Sequence, residues 1–107
     1  MELAEKTCIP CRGGVPGLAQ EACDALLTQL QGWQLVEHHH LRKEYRFADF
    51  RQALAFVDRV GALAEEQRHH PDVHLSYGKV VVEIWTHKID GLTESDFILA
   101  AKCDRVL

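Results

Sequence analysis

The chain has 107 residues, of which 47% are apolar and 26% are charged, and this is the composition of one ordinary folded domain. The length argues against an enzyme with separate cofactor and substrate domains, and the composition argues against intrinsic disorder. Twelve Lys and Arg against sixteen Asp and Glu give a net charge of −4, so nucleic acid is not an expected partner.

The sequence also carries information about the compartment. No apolar run reaches the roughly 18 to 20 residues that a membrane span needs, and the first residues lack the apolar stretch of a secretory signal. We therefore expect a cytoplasmic protein with no membrane partner. In that reducing compartment the cysteines are expected to be thiols or metal ligands rather than disulfides; they are Cys8, Cys11, Cys23 and Cys103.

The N-terminal part of the chain differs from the rest. Residues 1–17 contain two Pro, three Gly and a Cys-x-x-Cys without periodicity, so we interpret them as an irregular arm before a single domain over residues 18–107. Apolar residues at helical spacing predict a first helix over residues 18–30. The segments 33–38 and 41–47 are predicted to form a hairpin that turns at His39 and His40.

A second helix is predicted to begin after Asp49, which is placed to cap it, and to end before Pro71. Its inward face is predicted from spacings of three and four residues, and comprises Phe50, Ala53, Leu54, Val57, Val60, Gly61 and Ala64.

A second hairpin and a third helix complete the predicted domain. An extended piece at residues 73–77, a turn at Gly78 and alternation over residues 79–87 predict a hairpin with a long strand. Thr93 opens the last helix, and Asp96 stands at the position of a capping box.

The resulting order, αββαββα, predicts an α+β two-layer sandwich in which a four-stranded antiparallel sheet carries three helices on one face. Val81 and Trp85 would then lie on the opposite face of the sheet. Because these side chains would expose an apolar patch there, we expect the protein to form a homo-oligomer.

Histidines are concentrated at the ends of the predicted elements. His69 and His70 lie where the second helix stops, and His87 lies where the long strand ends. A turn at Gly78 would bring these two places together. Converging imidazoles can supply both a proton donor and a proton acceptor near neutral pH. The residues therefore predict proton-transfer chemistry such as dehydration, isomerisation or tautomerisation.

Other kinds of site fit the sequence less well. Three histidines can bind a catalytic zinc ion, but no His-Glu-x-x-His spacing occurs. Cys8 and Cys11 form at most half of a zinc site. His38, His39 and His40 are interpreted as solvated turn residues. The motifs of dinucleotide-binding, phosphate-binding and α/β-hydrolase enzymes do not occur, so we expect neither a metal nor an organic cofactor.

Several spacings in the second half of the chain agree with one known family. The residues that carry this agreement are Glu65, the run Arg68-His69-His70-Pro71, Tyr77, the run Trp85-Thr86-His87, the run Gly91-Leu92-Thr93, and Asp96. In these residues the chain resembles the pterin-4a-carbinolamine dehydratases, and the resemblance extends from residue 33 to the C-terminus. It implies the αββαββα fold and assembly into a homodimer or homotetramer.

The resemblance also implies a reaction and roles for residues. Family members dehydrate 4a-hydroxytetrahydropterin, which aromatic amino-acid hydroxylases release, to quinonoid dihydropterin and water. By resemblance, His69 and His87 are the acid and the base, and His70 holds the pterin and stabilises developing charge. The same resemblance assigns pterin contacts to Arg68, Trp85, Thr86 and Lys88.

Two acidic residues have alternative interpretations. Glu65 lies one helical turn before His69 and could orient that imidazole, or it could be a solvated residue of the helix. Asp96 could support the reaction, or it could act only as the capping box of Thr93.

Val73 stands where animal relatives have an aromatic residue, which makes that wall of the pocket less suited to stacking.

Two alternatives to the dehydratase function are kept. A dehydratase-like chain could be a non-catalytic assembly factor or regulator, and a dehydratase could act on another pterin, such as one in molybdopterin metabolism. The three histidines at their family spacings favour an enzyme.

Overall fold

The computed structural model describes residues 2–9, 13–14 and 16–107. Its helices are α1 (Gln20–Leu27), α2 (Phe50–Gln67) and α3 (Glu94–Arg105), and its strands are β1 (Gln34–Val36), β2 (His40–Arg46), β3 (Asp72–Ser76) and β4 (Lys79–Ile84). Leu3–Glu5 and His87–Ile89 form 3-10 turns. The predicted order αββαββα is confirmed. Within the described ranges, no helix combines the length and the apolar composition that a membrane span requires.

The strands form one antiparallel sheet in the order β1-β2-β4-β3. β4 is central and presents Val80, Val82 and Ile84 to the helices, where all three are fully buried. These three residues alternate along the strand with Val81 and Glu83, which belong to its other face, as the period of two predicts. The helices cover the inner face of the sheet, so the predicted α+β two-layer sandwich is also confirmed.

The second helix begins as predicted but packs through a different stripe. Asp49 accepts a hydrogen bond from the backbone N–H of Gln52 (2.8 Å) and so caps α2. The prediction that Phe50, Leu54 and Gly61 face inward is wrong, because Phe50 and Leu54 are 45% and 42% exposed and Gly61 is exposed as well. The residues that α2 buries are Ala53, Phe56, Val60, Ala64 and Gln67.

The packing of Phe56 determines which apolar residues of α2 face the sheet. Its ring is fully buried and packs against Tyr45 and Phe47, with ring centroids 4.5 Å and 5.3 Å away. The apolar face of α2 is wider than the part of it that is buried. Helical spacing alone therefore could not distinguish the residues that pack inward from adjacent apolar residues such as Phe50 and Leu54.

Several boundaries also differ from the predicted ones. The first helix is shorter than residues 18–30, and β4 ends at Ile84, so that His87 opens a 3-10 turn instead of ending the strand. The first hairpin turns at Glu37 and His38, which have φ angles of 53° and 56°, and the N–H of His39 bonds to the carbonyl of Val36 (2.9 Å). Two left-handed residues in succession form the type I′ turn that suits the twist of a hairpin.

The N-terminal arm packs against α2 and α3 and contributes to the core. Leu3 and Cys8 are 4% and 5% exposed. The backbone N–H of Cys8 bonds to Gln67 (3.0 Å), and that of Ile9 bonds to Ser95 (2.8 Å). Cys11, the other half of the Cys-x-x-Cys, lies outside the described residues.

The outer face of the sheet does not expose the expected apolar patch. Val81 is only 7% exposed, and Trp85 is half-buried. Glu44 and His74 pair with Val81 in the register of the sheet, and directly opposed side chains on one face lie close enough to cover each other. Polar neighbours therefore cover the apolar residues of this face.

Gly78 gives a test of the turn that joins β3 to β4. Its φ is +66°, and a Cβ atom there would lie 2.9 Å from the carbonyl oxygen of Phe47. We expect Gly78→Ala to lower the free energy of unfolding by about 1–3 kcal/mol, measured by urea unfolding. The matched control is Gly61→Ala in α2, where a Cβ meets open space and should add about 0.5–1 kcal/mol. Equal stability of the two variants would contradict this account.

The buried thiols give a second test. Burial raises the pKa of Cys8 from 9.0 to about 11 and that of Cys103 from 9.0 to about 12. Because the thiolate is the reactive form, a Cys11→Ser protein should react slowly with thiol reagents at pH 8 and fully in urea. Unfolded thiols ionise near pH 9, so the contribution of these thiols to the free energy of unfolding should be constant below pH 9 and fall as the pH rises towards 11. Rapid labelling of the folded protein would refute the prediction.

Candidate active site

A cavity of about 230 Å³ lies beyond the end of β4. Its lining consists of Arg68, His69, His70, Trp85, Thr86, His87 and Lys88. The first three follow α2 and the other four follow β4. The chain leaves residues 68–70 along β3 and comes back along β4. This hairpin therefore brings residues 68–70 and residues 85–88 together. The residues to which the resemblance assigns catalysis and pterin contacts therefore line one cavity.

The C-terminus of α2 directs the adjacent histidines away from the helix. Arg68 adopts the left-handed conformation (φ 54°, ψ 37°), and the N–H groups of Arg68 and His69 both bond to the carbonyl of Ala64. Such a left-handed end stops a helix and turns the chain sharply. The two imidazoles then have different surroundings, because the side chain of His69 is 14% exposed and that of His70 is 58% exposed.

A buried carboxylate holds the ring of His69. Nε2 of His69 lies 2.5 Å from Oδ1 of Asp96, which is fully buried. The other oxygen of Asp96 accepts hydrogen bonds from the hydroxyl of Thr86 and the backbone N–H of Thr93, both at 2.8 Å. Asp96 therefore completes the capping box of α3 and also binds His69.

This contact determines which nitrogen of His69 is available. A carboxylate accepts and cannot donate, so Asp96 requires the proton of His69 on Nε2. In the neutral ring Nδ1 is then the acceptor, and within the described residues Nδ1 has no hydrogen-bond partner. A second-layer carboxylate that fixes the tautomer of a histidine is a common feature of sites that transfer protons.

Glu65 contacts the neighbouring histidine. Its Oε2 lies 2.5 Å from Nε2 of His70, so the expectation that it orients His69 is wrong. The left-handed Arg68 ends the helix between Glu65 and the histidines, and helical spacing no longer relates them. Glu65 and His70 are both largely exposed, and an exposed ion pair contributes about 0–1 kcal/mol.

Trp85 and His87 form the opposite wall of the cavity. Their ring centroids are 4.4 Å apart and their planes are inclined by 76°, which is an edge-to-face contact. The backbone N–H of Thr86 bonds to the carbonyl of Gly91 (2.8 Å) and closes the loop that carries His87 and Lys88. His87 is exposed, so its imidazole is accessible to a molecule that enters the cavity.

His39 and His40 lie next to this wall, where sequence reasoning did not place them. Their rings are half-buried and lie 5.3 Å and 5.8 Å from the ring of Trp85. The interpretation as solvated turn residues is wrong for these two, although His38 is exposed. The alternation along β2 is the signal in the sequence that could have indicated this position. It indicates a contact with Trp85 only once β4 is known to lie beside β2.

One further candidate from the sequence, Tyr77, lies elsewhere. Tyr77, which belongs to the family spacing, is 76% exposed and is not part of the cavity lining. In residues 2–9, 13–14 and 16–107, no group of three or more His, Cys, Asp or Glu side chains is arranged to hold a metal ion.

The role of Asp96 can be tested without a substrate. Asp96→Asn removes the buried charge that binds Nε2 of His69, so we expect a changed tautomer of His69 and a loss of about 1–3 kcal/mol in the free energy of unfolding. Long-range ¹H–¹⁵N spectra of the imidazoles and urea unfolding measure the two effects. The control is Glu65→Gln, on the exposed pair, which should cost less than about 1 kcal/mol. Identical His69 ring shifts in Asp96→Asn and the parent protein would disprove the proposed contact.

Comparison with known sequences gives one family. The sequence model described as pterin 4 alpha carbinolamine dehydratase matches residues 16–106. A Rubrobacter xylanophilus protein with the name of this family is 59% identical over 105 residues, which are 98% of each chain. A Rickettsia bellii protein with the same family name is 57% identical over 103 residues, which are 95% of this chain and 91% of that protein.

Two solved structures are similar. One, described as a transcriptional coactivator/pterin dehydratase from Brucella melitensis, is 30% identical with a TM-score of 0.79, and the match covers 84% of this chain and 97% of that one. The other, described as a pterin dehydratase-like protein and RuBisCO assembly factor of the alpha-carboxysome, is 27% identical with a TM-score of 0.58, and the match covers 69% and 84% of the two chains. From the family match and the close relatives we conclude that the chain belongs to the pterin-4a-carbinolamine dehydratase family.

Proposed function

We propose that the protein dehydrates 4a-hydroxytetrahydropterin, a 4a-carbinolamine, to quinonoid dihydropterin and water by general acid–base catalysis. The observation that carries the proposal is the convergence of three imidazoles, those of His69, His70 and His87, on one cavity of about 230 Å³. Membership of the dehydratase family supports the same conclusion. The reaction as proposed needs no cofactor.

The chemistry requires two proton transfers. The C4a–O bond breaks readily only if the departing oxygen receives a proton, and the electron pair of a ring nitrogen forms the C=N bond as its own proton is removed. Nδ1 of His69 accepts that proton, and Asp96 stabilises the imidazolium that results. His87 donates a proton to the departing oxygen, which leaves as water. For the opposite stereoisomer at C4a, His69 and His87 exchange these roles.

The remaining lining residues hold the pterin. His70, backed by Glu65, binds the ring and stabilises the charge that develops during the reaction. Trp85 offers an aromatic surface to the bicyclic ring, and Arg68 and Lys88 place cationic side chains at the cavity. Thr86 lines the cavity and also bonds to Asp96, which connects the lining to the support of His69.

The proposal includes a cellular setting. The substrate is the product that an aromatic amino-acid hydroxylase releases, so the protein serves such an enzyme in the cytoplasm, in the recycling of tetrahydrobiopterin. It does so as a homodimer or homotetramer. Phe50 and Leu54, both exposed on α2, support an oligomer because an interface would remove their apolar surface from water.

A second candidate function is that of a non-catalytic assembly factor. One similar solved structure is described as a RuBisCO assembly factor. Its TM-score of 0.58 is lower than the 0.79 of the structure described as a pterin dehydratase. Together with the three imidazoles at the cavity, this difference favours the enzyme.

Stopped-flow absorbance with chemically generated 4a-hydroxytetrahydropterin tests the proposed activity. The parent protein should accelerate dehydration, and His70→Ala and His87→Ala should each lower kcat by about 100-fold while circular dichroism shows an intact fold. Asp58→Asn, an exposed change on α2 away from the cavity, is the control and should keep full activity. A chelator should leave the rate unchanged, because inhibition would indicate a metal enzyme.

The same assay distinguishes the alternatives. If the parent protein gives no acceleration with this substrate but does so with another pterin, the substrate assignment is wrong. If it accelerates neither reaction, the dehydratase proposal is rejected and the assembly-factor function takes its place.

A further inference from the structure

The N-terminal arm makes hydrogen bonds to two buried side chains through two consecutive residues. The backbone N–H of Cys8 donates to Oε1 of Gln67 (3.0 Å), and the backbone N–H of Ile9 donates to the hydroxyl of Ser95 (2.8 Å). The same hydroxyl donates to the carbonyl of Ile9 (3.2 Å). These four residues, Cys8, Ile9, Gln67 and Ser95, are called the arm junction below.

The arm junction lies next to both partners of the contact between His69 and Asp96. Gln67 is the last residue of α2 and stands two positions before His69. Ser95 stands directly before Asp96 in α3. Because the Cα atoms of consecutive residues are about 3.8 Å apart, the two arm residues hold the end of α2 and the start of α3 close together. The contact between His69 and Asp96 (2.5 Å) requires the same two helix ends to lie side by side.

Buried polar side chains are concentrated at this place. Within the described part of the chain, and apart from aromatic residues and cysteines, the buried polar residues are Gln67, Thr86, Ser95 and Asp96. A polar group that is removed from water is costly unless it is hydrogen-bonded. Thr86 bonds to Asp96, whereas Gln67 and Ser95 have partners on the arm. The arm therefore completes the hydrogen bonding at the place where α2 and α3 meet.

The side chains of Gln67 and Cys8 are fixed by further bonds. Nε2 of Gln67 donates to Oε1 of Glu66 (3.2 Å), so both ends of the amide are bonded. The thiol of Cys8 lies 3.5 Å from the carbonyl oxygen of Ser95 and donates a weak hydrogen bond to it. Burial raises the pKa of this thiol from 9.0 to about 11, so it keeps its proton near neutral pH. Cys8 therefore bonds to α2 through its backbone and to α3 through its side chain.

Other hydrogen bonds attach the arm to α3. Lys6 bonds to Glu94 (3.3 Å), and Arg105 at the far end of the helix bonds to Glu2 (3.1 Å). Both pairs are exposed, and each connects the arm with one helix. The arm junction differs because its helix residues are buried and because it connects two helices.

We propose that Gln67 and Ser95 are positioning residues, which use the arm to fix the end of α2 against the start of α3 and thereby maintain the contact of His69 with Asp96. This role rests on the proposed dehydratase function, in which Nδ1 of His69 accepts a proton of the substrate. When a bond of the arm junction is lost, the two helix ends separate, and Asp96 no longer determines the tautomer and the orientation of His69.

The ring of His69 gives a test that needs no substrate. In long-range ¹H–¹⁵N spectra of the imidazoles, Ser95→Ala and Gln67→Met should each shift the ring nitrogens of His69 towards a mixture of the two tautomers. The control is Arg105→Gln, which removes an arm contact at the other end of α3 and should keep the parent shifts. Parent shifts of His69 in both Ser95→Ala and Gln67→Met would overturn the proposal. Equal shifts in Arg105→Gln would also overturn it, because any loosening of the arm would then have the same effect.

Two further variants separate positioning from a general loss of stability. Ser95→Thr keeps a hydroxyl group for Ile9, so it should keep the parent shifts of His69. Tyr45→Phe removes the hydrogen bond to Asp104 (2.6 Å) near the C-terminal end of α3. It should lower the stability in urea and leave the His69 shifts unchanged. If Tyr45→Phe produced the shifts expected of Ser95→Ala, the proposal would fail. Circular dichroism identifies the variants that are folded under the conditions of the spectra.

Stopped-flow kinetics then test positioning in the reaction. Gln67→Met and Ser95→Ala should each lower kcat by about tenfold with little change in KM, because the cavity lining is intact and only a reacting group is displaced. Arg105→Gln should keep the parent kcat. In an Asp96→Asn background, Gln67→Met should lower kcat by less than about twofold further, because the contact that it positions is already lost. Full multiplication of the two single losses would overturn the proposal.

The two proposals fail in different ways. Absence of turnover in the parent protein would reject the dehydratase proposal and with it the role of the arm junction in the reaction. The ring shifts of His69 in Ser95→Ala and Gln67→Met would still decide whether the arm junction maintains its contact with Asp96.

Discussion

The buried carboxylate of Asp96 is the interaction on which the candidate site depends. A charge that is fully removed from water must be satisfied by hydrogen bonds, and Asp96 obtains them from three different places in the chain. Thr93 belongs to the start of α3, Thr86 follows β4, and His69 follows α2. Because one side chain needs all three, the end of a helix, the end of a strand and the start of another helix are held at one point.

Strained backbone is concentrated around the same region. Within the described residues, the non-glycine residues with positive φ are Glu37, His38, Arg68 and Asp90. Arg68 turns His69 and His70 out of α2, Asp90 follows the His87 turn, and the other two precede the histidine pair of the first hairpin. Such conformations are costly and persist where the surrounding contacts overdetermine them. Strained backbone conformations therefore occur next to the histidines whose orientation they determine.

The fold alone does not determine the activity. Similar structures include one described as a pterin dehydratase and one described as an assembly factor, so the same two-layer sandwich supports different functions. In this chain the cavity holds three imidazoles, and a carboxylate fixes the tautomer of one of them. Outside the cavity lining, the rings of His39 and His40 pack against Trp85.

The amino-acid sequence by itself determined the features that depend on neighbours along the chain. The alternation of Val80, Val82 and Ile84, the Asp49 cap and the capping box of Thr93 and Asp96 follow from local spacing, and family spacing indicated the cavity residues. Local patterns predict such features because strand and helix periods are fixed by backbone geometry.

Only the tertiary structure decided the contacts between elements. Glu65 meets His70 because Arg68 is left-handed, and Phe56 displaces Phe50 and Leu54 from the core because of the rings it meets on the sheet. His39 and His40 reach Trp85 because β2 lies beside β4. These outcomes depend on a backbone angle at one residue and on the order of strands in the sheet, and neither has a signature in local spacing.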